Sequence, residues 1–224
     1  ATFNIRAGRG LDNRRDLKRI ANTLRGADFV GMQEVDEYRL RSGFVSQITK
    51  LGRYLGHSYH EHFYAKKDWF IGRYGNAVTT CFNVIRAKKF TLPRLERKYR
   101  RALVWVCFTV GDKLVHAFVI HGERTADRTG LAQWPQISYA ISTMEDITKG
   151  QPYIFMGDFN TPHSGKVYEK LSKKYADASA VNPSFYKLKH RDYIFVKGLD
   201  IEDAWHIENG SSDHPAVFAR LSFK

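Results

Sequence analysis

The chain has 224 residues, of which 43% are hydrophobic, and a formal net charge of +13. This composition suits a single domain over residues 1–224 with a sizeable core and no linker-like or low-complexity stretch. No run of 18 apolar residues occurs, which excludes a transmembrane helix, and two cysteines exclude a disulfide framework.

The first residues bear on processing and location. Ala1 leads directly into a strand-like segment, so we expect that a leader or a tag has been removed from this end. We expect a soluble chain whose compartment the sequence leaves open. Cys81 and Cys107 each lie in a strand-like run, which predicts buried free thiols or a single bridge between neighbouring strands.

The positive charge predicts attraction to polyanions, such as nucleic acid, anionic membrane surfaces or phosphorylated small molecules. Eight lysine or arginine residues lie between Arg86 and Arg101, against one acid, Glu96. Such a run is also typical of a solvated surface loop. Charge therefore indicates the sign of the partner and leaves its identity open.

The first half of the chain alternates short strands with amphipathic helices. Hydrophobic periodicity distinguishes the two kinds of element, and polar residues at 12 and 13 are candidate caps for the first helix. The predicted elements are, in order, strand 2–5, helix 17–24, strand 29–33, helix 44–55, strand 57–64 and strand 75–82.

Strands dominate the second half. A hairpin is predicted across the turn signal Gly111-Asp112, and Pro135 falls in the first turn of a long helix, where proline is tolerated. The predicted elements are strand 103–110, strand 114–121, helix 131–147, strand 153–156, a short basic helix 166–174, strand 193–196 and strand 216–223. This order favours mixed sheets covered by helices over a purely parallel fold.

Polar side chains lie at the ends of several of these strands. The strand-end set consists of Asn4, Glu34, His121, Asp158, Asn160, Asp192, Asp213 and His214. Antiparallel neighbours place the C-terminal end of one strand beside the N-terminal end of the next, so we expect the set to line one edge of a mixed sheet. Each residue alone is typical of a turn or cap, and only their combination indicates a site.

The segment Gly157-Asp158-Phe159-Asn160 suggests the chemistry. In an extended chain, residues two apart point the same way, so Asp158 and Asn160 would present a carboxylate and an amide to one point. Oxygen donors without thiolates favour Mg²⁺, Mn²⁺ or Ca²⁺ over Zn²⁺. Carboxylates, a divalent metal and histidines together indicate metal-assisted hydrolysis of a phosphate ester, with water as the nucleophile.

The strand-end set and its neighbours resemble the endonuclease/exonuclease/phosphatase superfamily of deoxyribonuclease-like, metal-dependent phosphodiesterases. The segments that carry the resemblance are Phe3-Asn4-Ile5, Gln33-Glu34-Val35-Asp36, Tyr74-Gly75-Asn76-Ala77, His121, Gly157-Asp158-Phe159-Asn160, Asp192-Tyr193-Ile194-Phe195 and Ser212-Asp213-His214. They span nearly the whole chain in the order that the family has. The implied fold is a four-layer sandwich of two mixed β-sheets packed face to face and flanked by helices.

The resemblance also implies roles for the strand-end set and a cofactor, Mg²⁺ or Mn²⁺. Glu34 corresponds to the principal metal ligand, with Asn4 and Asp213 in the metal shell. The other implied roles are water activation for Asp158, phosphate or metal contact for Asn160, phosphate contact for His121 and His214, and carboxylate partner of His214 for Asp192. The chain departs from the family at Ile120-His121-Gly122-Glu123, where the family often has Thr-His-Leu, and has no glutamate at 72–75 to pair with His121.

The first functional hypothesis is a monomeric endonuclease with DNA as its substrate. Phosphate neutralisation by basic residues supports it, as do the aromatic and basic residues at 64–70, which are suited to stacking on bases. The alternative is a phosphodiesterase or phosphatase of phospholipid headgroups or phosphorylated small molecules, with Asp68-Trp69-Phe70-Ile71 as a short membrane-contact candidate. A third hypothesis, a silent binding module, is disfavoured because fold alone would not retain the whole polar set.

Overall fold

The computed structural model describes residues 1–67, 72–95, 100–127, 129, 131–182 and 191–224, with the side chains of Lys66 and Lys67 left out. The strands are β1 (Thr2–Asn4), β2 (Phe29–Glu37), β3 (Tyr59–Lys67), β4 (Arg73–Thr80), β5 (Asn83–Thr91), β6 (Ala102–Val110), β7 (Lys113–His121), β8 (Tyr153–Asp158), β9 (Ala176–Asp177), β10 (Asp192–Lys197), β11 (Leu199–Ile207) and β12 (Ala216–Phe223). The α-helices are α1 (Leu17–Thr23), α2 (Gln47–Leu55), α3 (Trp134–Thr148) and α4 (Lys166–Ser172).

The strands form two six-stranded mixed sheets. The first has the order β11-β12-β1-β2-β4-β3 and the second the order β5-β6-β7-β8-β10-β9. β1 runs parallel to β2 and β7 parallel to β8, while the other neighbouring pairs are antiparallel. These directions bring the C-terminal ends of β1, β7 and β8 and the N-terminal ends of β10 and β12 to one edge, which we call the upper edge.

Three hydrophobic clusters hold four layers together. One fills the gap between the sheets with residues such as Val119, Met156 and Val217. A second packs α1 and α2 on the outer face of the first sheet, and a third packs α3 and α4 on the outer face of the second sheet. The predicted four-layer sandwich is confirmed. Burial of apolar surface on both faces of each sheet drives this stacking.

Most of the predicted elements are present with small shifts. The hairpin across Gly111 forms, and Pro135 lies in the first turn of α3. The predicted caps of α1 are wrong, because Asp16 accepts the backbone N–H groups of Lys18 and Arg19. A side-chain oxygen directly before the first helical turn reaches those donors, whereas residues 12 and 13 lie too far upstream.

The sequence pattern missed β5, β9 and β11. The loop interpretation of the basic run is wrong over Asn83–Thr91, which is an edge strand of the second sheet. Lysine and arginine side chains on an edge strand discourage pairing with other chains and hide the alternation that signals a strand. Within the described ranges, both cysteines are free thiols, but Cys81 is exposed because β4 ends one residue before it.

Two features of the described chain bear on membrane contact and on the predicted stacking residues. The candidate membrane-contact residues at 68–71, and the aromatic residues of the 64–70 segment beyond Tyr64, lie outside the described residues. Among the residues that the structure describes, no helix combines the length and apolarity needed to cross a membrane.

Candidate active site

Asp158 ends β8 and lies at the centre of the upper edge. Ile154 and Met156 pack in the gap between the sheets, and because alternate residues of a strand share a face, Asp158 also points into this gap. There its Oδ2 accepts a hydrogen bond of 3.1 Å from Asn4 Nδ2, at the end of β1 in the other sheet. The preceding Gly157 is obligatory, since a Cβ there would lie 1.9 Å from the carbonyl oxygen of Ile120.

Asn160 reaches the site by a turn and not by an extended chain. Its φ is +54°, so the extended-chain argument for Asp158 and Asn160 is wrong beyond the end of β8. The turn is closed by the backbone N–H of Asn160, which donates to Asp158 Oδ1 over 2.9 Å. The amide Nδ2 donates to the carbonyl of Gly122 over 3.0 Å. Asparagine tolerates the left-handed region and makes such turns.

His214 and Asp192 form the second part of the site. Nδ1 of His214 lies 2.8 Å from Oδ2 of Asp192, which is wholly buried at the start of β10. The loop that carries His214 is tied to β1 because Ser212 Oγ donates to the carbonyl of Asn4 over 2.7 Å. The other ring nitrogen, Nε2, faces Asp158 Oδ2 at 3.9 Å.

The buried charges of this pair shift their ionisation. Burial alone lowers the pKa of His214, but the carboxylates of Asp192, Asp158 and Asp213 outweigh it and raise the pKa to about 10. Burial, and then the neighbouring Asp192, raise the pKa of Asp158 to about 6. The site therefore holds an imidazolium between two carboxylates at neutral pH.

His121, at the end of β7, completes the cluster. Its Nε2 lies 3.5 Å from Asp158 Oδ2. Arg101 Nη1 lies 2.9 Å from its Nδ1 and 3.0 Å from its Nε2. Burial, followed by the positive charges of Arg101 and His214, lowers the pKa of His121 well below its usual value. An arginine can only donate, and it faces both ring nitrogens alike, so it does not select a tautomer. The Asp158 carboxylate, an acceptor beside Nε2, favours the tautomer of a neutral His121 whose ring proton is on Nε2.

Glu34 occupies a β-bulge of β2, between Met32 and Val35, with a φ of +59°. The hydroxyl of Tyr74 hydrogen-bonds its carboxylate, and burial followed by this carboxylate raises the pKa of Tyr74. Arg41 lies beside the same group, held by two hydrogen bonds of 2.7 Å to the buried Asp36. A bulge re-aims the side chain that it carries, and here it presents a partly exposed carboxylate at the upper edge.

A cleft of about 370 Å³ opens beside His214. It is lined by Arg124, Asn160, Arg191, Glu208, Asp213, His214 and Pro215. Asp213 is 44% exposed and lies 3.4 Å from Arg6 Nε through its Oδ2. The cleft therefore offers two arginines and an imidazolium to an anion, next to the buried carboxylates.

The donor set fits a hard divalent cation. The side-chain ligand atoms of Asp158, Asp192 and His214 all lie within 4.8 Å of one another. With His214 as an imidazolium, the two carboxylates are the groups of this cluster that suit a cation. Asp192 Oδ1 is buried and accepts no hydrogen bond within the described ranges, so this oxygen lacks the donor or the cation that would satisfy it. Glu34 and Asp213, which the sequence predicts as ligands, lie outside this tight cluster, and their ligand roles stay predictions.

Several residues that support the site escaped the sequence prediction. Gln133, just before α3, is buried and donates from Nε2 to the carbonyl of Asn160 over 3.0 Å. Gln136, one turn later, accepts the backbone N–H of Glu123 over 2.9 Å. Both lie within the helix predicted over 131–147, whose hydrophobic periodicity indicates only an apolar stripe that faces the core. A buried polar residue on that stripe needs a hydrogen-bond partner, and this was the sequence signal that could have identified both glutamines.

Comparisons with known proteins bear on the family and the fold of the chain. A sequence profile of the endonuclease/exonuclease/phosphatase family matches residues 1–214. No curated protein matches the sequence. Solved structures match over almost the whole chain at low identity, which establishes the common fold alone.

Three solved structures illustrate the likeness. An endonuclease/exonuclease/phosphatase from Beutenbergia cavernae has a TM-score of 0.81 and 18% identity, over 99% of this chain and 70% of that one. A mannosyl-6-phosphatase from Bacteroides thetaiotaomicron has a TM-score of 0.73 and 17% identity, over 100% and 98%. The human nocturnin catalytic domain, with a bound sulfate anion, has a TM-score of 0.67 and 18% identity, over 88% and 81%.

Proposed function

The chain belongs to the endonuclease/exonuclease/phosphatase family, a family of phosphoester hydrolases, and we propose that it is a divalent-metal-dependent phosphodiesterase that cleaves DNA. One observation carries this proposal. Nε2 of His121, at the end of β7, and Nε2 of His214, in the loop before β12, approach Asp158 Oδ2 at 3.5 and 3.9 Å. Two imidazole rings and one carboxylate thus converge at the upper edge, beside the cleft that His214 lines.

In this proposal each residue of the site has a separate role in hydrolysis. Asp158 and Asn160 position the attacking water, and the Asp158 carboxylate accepts its proton. His214, whose ring is fixed by Asp192, donates from Nε2 to a non-bridging phosphoryl oxygen. His121 donates from its own Nε2 to a second oxygen, and the two donors stabilise the charge that develops in the transition state.

A divalent cation, Mg²⁺ or Mn²⁺, is the cofactor that this donor set suits. Glu34 and Asn4 would hold it from the first sheet, and the buried carboxylate cluster would face it from the second. When bound, such an ion polarises the phosphoryl oxygens and offsets the charge on the leaving group.

DNA is favoured by charge. The chain has a formal net charge of +13, and Arg124 and Arg191 line the cleft beside His214. Phosphate contacts from such residues supply most non-specific affinity for nucleic acid. The active form is proposed to be a monomer, since every residue invoked comes from one chain.

A second candidate is hydrolysis of phosphorylated small molecules or phospholipid headgroups. The cleft volume of about 370 Å³ favours it, because this is within the range that accepts a small ligand. The fold that the chain shares with a mannosyl-6-phosphatase is compatible with it.

A nicking assay tests the proposal. Supercoiled plasmid is incubated with the protein and Mg²⁺ or Mn²⁺, and we expect conversion to the relaxed form. The Glu34→Ala, Asp158→Ala and His214→Ala variants should lose this activity, while Asp200→Ala, an exposed carboxylate at the opposite edge, should keep it. Intact plasmid together with hydrolysis of sphingomyelin, phosphoinositides or sugar phosphates would select the second candidate.

A further inference from the structure

Tyr64, on the edge strand β3, holds two cations at the surface. Lys89 Nζ lies 3.6 Å from the centre of its ring and Arg73 Cζ lies 5.3 Å from it. Lys89 Nζ also donates to the carbonyl of Tyr64 over 2.8 Å. Tyr64 is 41% exposed. We call these three residues the Tyr64 surface. Cation–π contacts of this kind fix flexible basic side chains in place.

The Tyr64 surface continues the upper edge away from the cleft. Arg73 begins β4, opposite Glu37 at the end of β2 and three residues beyond Glu34. Its Nη1 lies 3.6 Å from Glu37 Oε2, an ion pair that leaves Lys89 as the cation of this surface without a carboxylate partner among the described contacts. Lys89 pairs with Val104 near the start of β6, the end of that strand next to Arg101 and His121. The active site therefore lies between the arginines of the cleft on one side and this surface on the other.

This placement fits a linear polyanion that crosses the active site. Building on the proposed function, we propose that the Tyr64 surface binds a backbone phosphate of the nucleic-acid strand whose scissile phosphate lies at Asp158. Asp158 contacts Asn4 at the end of β1, and β1 and β3 are three strand spacings apart, about 14 Å. The bound phosphate therefore belongs to a nucleotide other than the one that is cleaved. Arg73 and Lys89 contact the phosphate, and Tyr64 is the positioning residue.

Two alternative roles compete with this one. Lysines on an edge strand protect it from pairing with other chains, and this requires no ligand. A basic surface also attracts an anionic membrane. Continuity with the active site favours the nucleic-acid strand, because one extended molecule reaches both places at once.

Binding without turnover tests the inference separately from the proposed function. Fluorescence anisotropy of a labelled single strand of about 12 nucleotides is measured in EDTA at salt concentrations from about 50 to about 300 mM NaCl. We expect Arg73→Gln and Lys89→Gln each to weaken binding and to reduce the salt slope by about 0.7, the value for one phosphate contact on a single strand. Tyr64→Ala should weaken binding while leaving the slope unchanged, and Tyr64→Phe should bind like the unmodified chain.

The matched control is Lys113→Gln. Lys113 also lies over an aromatic ring, with Nζ 4.5 Å from the centre of Phe223, but at the start of β7, the opposite edge of the sandwich. It should bind like the unmodified chain. Variants at 73 and 89 that match this control would overturn the inference, as would unchanged strand binding accompanied by weaker binding to phosphatidylserine vesicles. Thermal unfolding checks that each variant is folded. If Arg73→Gln does not fold, the result for Lys89→Gln tests the inference by itself.

A strand that binds in EDTA but is never hydrolysed would contradict the proposed nuclease and leave the binding surface in place. If Arg73→Gln and Lys89→Gln bind the labelled strand with unaltered affinity and salt slope, while the protein hydrolyses plasmid, the binding surface is contradicted and the proposed nuclease is supported. The two proposals therefore fail by different measurements.

Discussion

Asn4 Nδ2 donates to Asp158 Oδ2 over 3.1 Å, and this bond joins the two sheets at the centre of the upper edge. Asn4 ends β1 and Asp158 ends β8, 154 residues later in the chain. Both are buried. A neutral donor from one sheet thus faces a carboxylate from the other, at the point where the proposed catalytic groups converge.

Asn4→Asp exchanges this donor for a second carboxylate of the same shape. Two buried carboxylates in contact repel each other, and the hydrogen bond to a charged group is lost, so we expect a loss of at least about 2 kcal/mol in the free energy of unfolding without metal. Saturating Mg²⁺ should recover much of it, since a ligand present at about 100 times its Kd contributes about 2.7 kcal/mol. Urea unfolding with and without Mg²⁺ measures both.

Asn4→Ser provides the control, because it removes the amide without adding charge. Its stability should respond less to Mg²⁺ than that of Asn4→Asp. Equal responses of the two variants would argue against a cation beside Asn4.

Asp192→Asn removes the charge that fixes the His214 ring. Asp192 Oδ2 accepts from Nδ1 of His214 over 2.8 Å, and an amide in its place no longer stabilises the imidazolium. We expect kcat for bis(p-nitrophenyl) phosphate to fall by about 10² to 10⁴, the usual contribution of a positioned acid or base, with little change in KM. Asp200→Asn, at an exposed carboxylate of β11, is the matched control. A kcat within twofold of the unmodified chain would remove His214 from the proposed mechanism.

The strand ends were predictable from the sequence, because polar residues directly after or before apolar runs mark the edge of a sheet. Asn4, His121, Asp158 and Asp192 lie where that pattern predicts. The unusual backbone conformation at Glu34 was not predictable. Its φ is left-handed, yet β2 continues on both sides of it and the sequence there reads as an ordinary strand.

Long-range partners were also beyond the sequence. Arg101 lies against His121 because β6 and β7 pair along their length, and nothing in the basic run distinguishes it from its neighbours. Gln133 supports Asn160 from the start of α3. Such contacts depend on how layers stack, which a local pattern does not encode.

Glu34 combines a proposed metal ligand with an unfavourable backbone conformation. Its φ of +59° costs about 1–2 kcal/mol for a residue with a Cβ. Glu34→Gly and Glu34→Ala both remove the carboxylate, but only glycine relieves this strain. We expect Glu34→Gly to be more stable than Glu34→Ala by about 1 kcal/mol in urea unfolding, while neither binds Mg²⁺ measurably by calorimetry. Equal stability would show that the bulge relaxes, and retained Mg²⁺ affinity would exclude Glu34 as a ligand.

Gly157 shows how tightly the backbone is packed beneath the catalytic turn. A Cβ there would lie 1.9 Å from the carbonyl oxygen of Ile120 on the parallel strand β7, at a φ of +141°. That oxygen belongs to the sheet and cannot move aside without disturbing the β7–β8 pairing that positions His121 and Asp158. Gly157→Ala should therefore cost about 3 kcal/mol or more, strain and overpacking combined.

Gly150→Ala separates the two causes. Gly150 has a φ of +90°, but a Cβ added there would meet open space, with no atom within 4 Å, so its substitution costs only the conformational strain of about 1–2 kcal/mol. The difference between the two variants in urea unfolding measures the clash alone. Gly157→Ala should also lose hydrolytic activity under conditions where it is still folded, because β8 must shift from β7 to accept the methyl group. Similar losses of stability at the two positions, with activity retained at 157, would mean that the strand pairing beneath the site yields without displacing Asp158.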